Sequence, residues 1–145
     1  MSLVDSNILI RTYLLTSSAT NDPLITLIGG AGSERMYCPR LPENVTLPAI
    51  GYFTRGGGSS YQRPAGSWPS VQFDCWDDNL QGAREVYRAL YNALNGLGNA
   101  SVTVDGSTYH IIQAREEVQG QDLEDEIPGF FRVITFYQIT IRDDI

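Results

Sequence analysis

The sequence predicts an α+β domain: a mostly antiparallel sheet with helices packed on one face. Three observations predict it. A long amphipathic helix lies between two groups of segments that alternate apolar and polar residues. An Asp105-Gly106 pair separates two β-type runs, and a type I′ hairpin turn needs residues that accept positive φ at both central positions. The stretch from Phe130 to Arg142 alternates along its whole length, with no proline or glycine to interrupt it.

The first element is a helix from about Asp5 to Leu15. Asp5 or Ser6 is its N-cap, and Leu9, Ile10, Tyr13 and Leu14 form its apolar stripe. A short helical turn follows at 22–28, with Pro23 at the first helical position and Gly29-Gly30 ending it. Arg35 to Cys38 is a short strand, followed by a connection punctuated by Pro39, Pro42 and Pro48. Ala49 to Thr54 and Ser70 to Trp76 are strands. In the second, Val71, Phe73 and Cys75 face one way, and Gln72, Asp74 and Trp76 the other.

The central helix is expected from about Asn79 to Leu97. Leu80, Ala83, Tyr87, Leu90, Leu94 and Leu97 fall on one face, Asp77 and Asp78 stand at the capping positions, and Gly96 and Gly98 close it. Val102–Val104 and Thr108–Ala114 are the arms of the Asp105-Gly106 hairpin. In the last strand, Phe131, Val133, Thr135, Tyr137, Ile139 and Ile141 form the apolar face, while Arg132, Ile134, Phe136, Gln138 and Thr140 form a mixed one. That strand is about twice the usual length. Its excess is expected to project from the domain or to pair with a neighbour. With no internal repeat and no linker, residues 1–145 are expected to form one domain.

Two stretches read as long loops. Arg55 to Trp68 is glycine-rich and carries Tyr61 and Arg63 between its end residues. Glu116 to Gly129 holds Glu116, Glu117, Asp122, Glu124, Asp125 and Glu126, six of the seventeen acids. Loops of this length in compact domains are usually functional or disordered.

Composition narrows the function. The formal net charge of −7 argues against a nucleic-acid-binding surface, which needs clustered cations. All ten cations are arginine, the cation that protein interfaces favour, and a GC-rich genome would give the same bias. The N-terminus lacks a signal-peptide pattern, and no stretch approaches the ~20 apolar residues that span a bilayer. The expectation is a protein made in the cytoplasm, with no membrane partner. Asn-x-Ser/Thr triplets at Asn44 and Asn99 carry little meaning without secretion.

Cys38 and Cys75 make no disulfide framework, and Cys75 reads as a small buried hydrophobe. His110, the one histidine, reads as a packed strand residue. Asp74, Asp77 and Asp78 are the nearest approach to a metal cluster, and capping explains two of them. The glycine runs at 29–32 and 56–58 lack the Gly-Lys-Ser/Thr ending and the following helix of a phosphate loop. No catalytic residue, metal or cofactor is therefore assigned.

The run Val71-Gln72-Phe73-Asp74-Cys75-Trp76-Asp77 leads into Ala83-Arg84-Glu85-Val86 and Leu90. With the closing Phe131-Arg132-Val133-Ile134-Thr135-Phe136-Tyr137, it resembles the small tail-completion proteins of long-tailed phages, the tail terminators and head–tail joining proteins. The similarity covers roughly Ile8 to Ile141 and is one of profile. It implies a structural virion protein, located at the tail or neck and not an enzyme. Such a protein forms a ring, typically a hexamer, that ends the tail tube and meets the head connector, with DNA passing through its lumen.

On that reading, Arg55, Tyr61, Arg63 and Trp68 are expected to reach a neighbouring subunit or ring. Glu116, Glu117, Asp122, Glu124, Asp125 and Glu126 are expected to line the channel and repel phosphate. Two alternatives stand beside it: another neck or minor tail adaptor, and a small ligand-binding domain or enzyme with a pocket near His110 or the acids.

Overall fold

The computed structural model describes residues 4–59, 66–125 and 129–143, and it has the expected α+β architecture. Among the described residues, three helices and six strands follow in the order α1 (Ser6–Leu14), α2 (Asp22–Leu27), β1 (Met36–Tyr37), β2 (Ala49–Ser59), β3 (Gly66–Asp77), α3 (Leu80–Leu94), β4 (Leu97–Val104), β5 (Ser107–Glu124) and β6 (Phe131–Asp143). The strands form one sheet in the spatial order β1-β2-β3-β6-β5-β4. Only the short β1–β2 pairing is parallel.

Helix α1 starts where the Asp5 carboxylate accepts the Asn7 N–H at 3.0 Å, and it buries Leu9, Ile10 and Leu14. The buried Asn21 amide donates to the carbonyls of Tyr13 and Thr16, which fastens α2 to the end of α1. Asn79 caps α3, accepting the Gly82 N–H at 2.7 Å. This corrects the expectation that Asp77 and Asp78 cap it. The Asp77 carboxylate is instead satisfied by the Asp78 N–H at 2.7 Å.

Helix α3 buries Ala83, Val86, Tyr87, Ala89, Leu90, Ala93 and Leu94, the repeat that lays one helical face on a sheet. It ends at Leu94, three residues short of the expected Leu97. The Gly96 N–H donates to the Ala114 carbonyl at 3.1 Å, and Leu97 is already paired with Ala114, so strand pairing takes the chain out of the helix.

All three helices lie on one face of the sheet. Their apolar residues share a core with Ile50, Tyr52, Val71, Phe73, Cys75, Val133, Tyr137, Ile139 and Ile141. Phe73 stacks on Tyr52 with centroids 6.1 Å apart and meets Tyr137 edge-on at 5.7 Å. The β4–β5 hairpin turns at Asp105 (φ 50) and Gly106 (φ 80), the two positive angles the Asp-Gly pair predicted.

Three expectations are corrected by the sheet. First, β6 neither projects nor lies at an edge. It runs between β3 and β5, whose own lengths of 12 and 18 residues give it partners along its course. Second, the glycine-rich stretch extends the β2–β3 ladder. A bulge between Thr54 and Gly57 absorbs one residue, and Gly57 (φ 119) approaches the Trp68 carbonyl more closely than any Cβ would allow. Third, residues 116–124 belong to β5. Bulges around Val118 keep them paired with β6, while α3 holds the strand's other edge: the Gly120 N–H donates to the Tyr87 hydroxyl, and Arg84 donates to the Gly120 carbonyl. A Cβ at Gly120 would stand 2.8 Å from the Tyr87 ring, so the helix and strand meet there only through glycine.

Candidate functional site

The face of the sheet turned away from the helices is the most distinctive surface of the molecule. Strand alternation puts Phe53 and Arg55 of β2 on it, with Trp68, Gln72, Asp74 and Trp76 of β3 and Arg132, Ile134, Phe136 and Gln138 of β6. The β6 members are half-buried by their neighbours, whereas Trp68 is 38% exposed and Val118 of β5 is 48% exposed. Large apolar groups thus remain accessible at the centre of the sheet.

Arginines organise this face. The Arg55 guanidinium lies 4.7 Å from the centroid of the Phe136 ring, and Arg132 lies 5.2 Å from that of Trp76. Arg132 also stands 3.6 Å from the buried Asp74 carboxylate, which accepts a hydrogen bond from Gln72. Burial pushes the Asp74 pKa up, against the opposing pull of Gln72 and Arg132. Arg115 donates twice to the Gln138 side chain, at 3.1 and 3.2 Å. The Glu117 carboxylate accepts from Ser70, bridging β5 to β3 above β6.

At one end of this face the 38–48 connection folds back over Gly51 and Trp76. It borders an open pocket of about 560 Å³ with Trp76 and Phe130 in its walls. The two rings meet edge-on at 6.4 Å.

The acids do not form one loop surface. The Glu116 carboxylate turns to the helix side, where it accepts from the Tyr87 hydroxyl at 2.6 Å and from Thr135 at 2.7 Å. Burial and then this carboxylate push the Tyr87 pKa up. Asp122 pairs with Arg84 at 2.7 Å, and Glu124 shares a cross-strand row with Phe131 and Asp77. Glu117 faces the other way. Asp125 lies at the rim of the Trp76 pocket. Glu126 falls outside the described residues.

Of the four expected contact residues, Arg55 and Trp68 come together on the open face, while Tyr61 and Arg63 fall outside the described residues. Sequence reasoning missed Phe53, Phe136 and Arg132 as members of that surface. For Phe136 and Arg132 the signal was the mixed face of the last strand, where Ile134 and Phe136 follow Arg132 in place of further polar residues.

Cys75 is buried, and burial raises its thiol pKa strongly. His110 Nδ1 lies 3.2 Å from the Ser101 hydroxyl across the β4–β5 pair, in an exposed position. Among the described residues, no three His, Cys, Asp or Glu side chains gather as metal ligands, and no helix is long and apolar enough to cross a membrane.

No protein-family model matches the chain, and no curated protein sequence does. In fold it is similar to a chain in the virion of a native gene transfer agent particle, with a TM-score of 0.67 over 94% of each chain at 11% identity. At that identity the likeness is one of fold.

Proposed function

We propose that this chain is a structural virion protein. In this reading it forms a ring at the head–tail junction, ends the tail tube and joins it to the head connector, while DNA passes through the lumen. The observation that carries the reading is the fold likeness to a chain of a virion particle over nearly the whole length. The sequence resemblance to tail-completion proteins points the same way by a separate route.

Two further features support it. The chain keeps a broad aromatic and arginine surface on a sheet whose other face carries the helices, which suits contacts to like copies. Its net charge of −7 suits a channel through which phosphate must slide without sticking. Of the acids, Glu124 is exposed at the end of β5 and is the residue proposed to line the channel, whereas Asp122 is neutralised by Arg84. Glu116 is occupied by Tyr87 and Thr135 and is assigned a structural part. No catalytic step, metal or cofactor enters the proposed role.

The test is the solution mass of the purified protein by light scattering, with negative-stain images of the same peak. A ring of about six copies with a central hole is the expected result. A compact dimer without a hole, unchanged by added tail tubes, would overturn the reading.

A further inference from the structure

A closed ring of identical copies needs two different surfaces on each copy, because head-to-tail contacts join unlike patches. The fold presents two such patches of opposite charge. The open sheet face carries Arg55, Arg115, Arg132 and Arg142 against Asp74 and Glu117, while Glu43 and Asp125 stand with Arg40 around the pocket at one end, so its cationic part is the region of Arg55 and Arg115. Arg132 is neutralised by Asp74, which leaves Arg55 and Arg115, both exposed, on either side of Phe136 and Gln138. Apolar rings at the centre with charge around them is the anatomy of a protein–protein interface.

The second patch lies on the other side of the molecule, at the start of α3. Asp78 and Glu85 are exposed there, and Asp77 is half-buried beside them. The Asp77 carboxylate packs against Gly82, one helical turn before Glu85, so the three acids share one small region. The nearby Arg84 is already engaged by Asp122.

We propose that the open sheet face, through Arg55, Arg115 and Phe136, is the docking surface for a second copy of this chain, which presents Asp78 and Glu85 at the start of its α3. This rests on the ring reading and names its contact. Duplex DNA is the other polyanion that could meet these arginines. It fits less well, because Glu117 stands within the same face, with Asp125 at its end, and these carboxylates would oppose a phosphate backbone.

Two charge-reversed variants test the pairing. Arg55→Glu with Arg115→Glu makes the open face acidic, and Asp78→Arg with Glu85→Arg makes the α3 patch basic. Each variant alone is expected to weaken self-association by about tenfold or more, since like charges then face each other. An equimolar mixture is expected to assemble again, with the two variants alternating around the ring, as mass spectrometry of the intact assembly would show. If reversal unfolds either chain, Arg55→Gln with Arg115→Gln carries the same test at smaller amplitude.

Assembly of either reversed variant at wild-type strength would overturn the proposed contact while leaving the ring intact. Failure of two folded variants to reassemble when mixed would overturn the pairing. A wild-type chain that forms no ring, alone or on tail tubes, would remove the ring reading and this contact together. Retention of duplex DNA by the wild type and its loss in Arg55→Glu with Arg115→Glu, with self-association unchanged, would reassign the face to nucleic acid.

Discussion

The two faces of β6 are built from alternate residues of one strand, yet they do different work. Val133, Thr135, Tyr137, Ile139 and Ile141 are buried under the helices, whereas Arg132, Ile134, Phe136, Gln138 and Thr140 lie half-buried on the open face, which the 38–48 connection reaches only at one end. The covered face supplies the free energy of folding by removing apolar area from water. The other retains apolar and arginine side chains that add little to the monomer. The alternation therefore separates folding from association within a single segment, and substitutions on the two faces should have separable effects.

The largest expected effect comes from breaking the covered face. Leu90→Ala, at a fully buried position of α3, should cost about 2–5 kcal/mol by denaturant unfolding, because the cavity it leaves cannot close fully. Phe136→Ala on the open face should cost the monomer about 1 kcal/mol or less. The same change should weaken self-association clearly in sedimentation experiments. Equal losses of stability from these two substitutions would erase the distinction between the faces.

Smaller effects sharpen it. The Tyr137 hydroxyl is buried with no hydrogen-bond partner among the described residues, so Tyr137→Phe should be neutral or raise stability by up to about 1 kcal/mol. A clear loss in thermal unfolding would mean that the hydroxyl is satisfied.

On the open face, the raised pKa of Asp74 makes the folded state bind more protons than the unfolded state just above the ordinary carboxylate range. Its contribution to stability therefore grows as pH falls through that window and is lost as pH rises through it. Asp74→Asn should flatten this part of the stability–pH curve, and an unchanged slope would contradict the assignment.

Much of this architecture was legible in the sequence. The α3 stripe, the Asp-Gly turn and the alternation of β3 and β6 are local patterns, and each produced its element. What was not legible depends on partners distant in sequence. Nothing in Gly56-Gly57-Gly58 announces a strand, because that stretch is held by its ladder to residues 67–69 and by a bulge that only glycine permits. The acids at 116–124 have poor strand propensity, and they lie in β5 because β6 pairs one edge while Tyr87 and Arg84 hold the other. The end of α3 was misplaced because the pull of Ala114 on Gly96 and Leu97 is a tertiary contact. For the site, Arg55 and Trp68 were expected as contact residues, and both lie on the open face. Their grouping with Phe136 required the order β2-β3-β6, which no local pattern encodes.

The most direct test of the account is hydroxyl-radical footprinting of the assembled and dissociated protein, read at Trp68 and Phe136 on the open face and at Ile8 on α1. Ile8 is 47% exposed and lies on the opposite side of the sheet. The account predicts that assembly protects Trp68 and Phe136 and leaves Ile8 reactive. Protection of Ile8 with Trp68 and Phe136 unchanged would show that copies meet through α1 instead, and the open face would lose its proposed role.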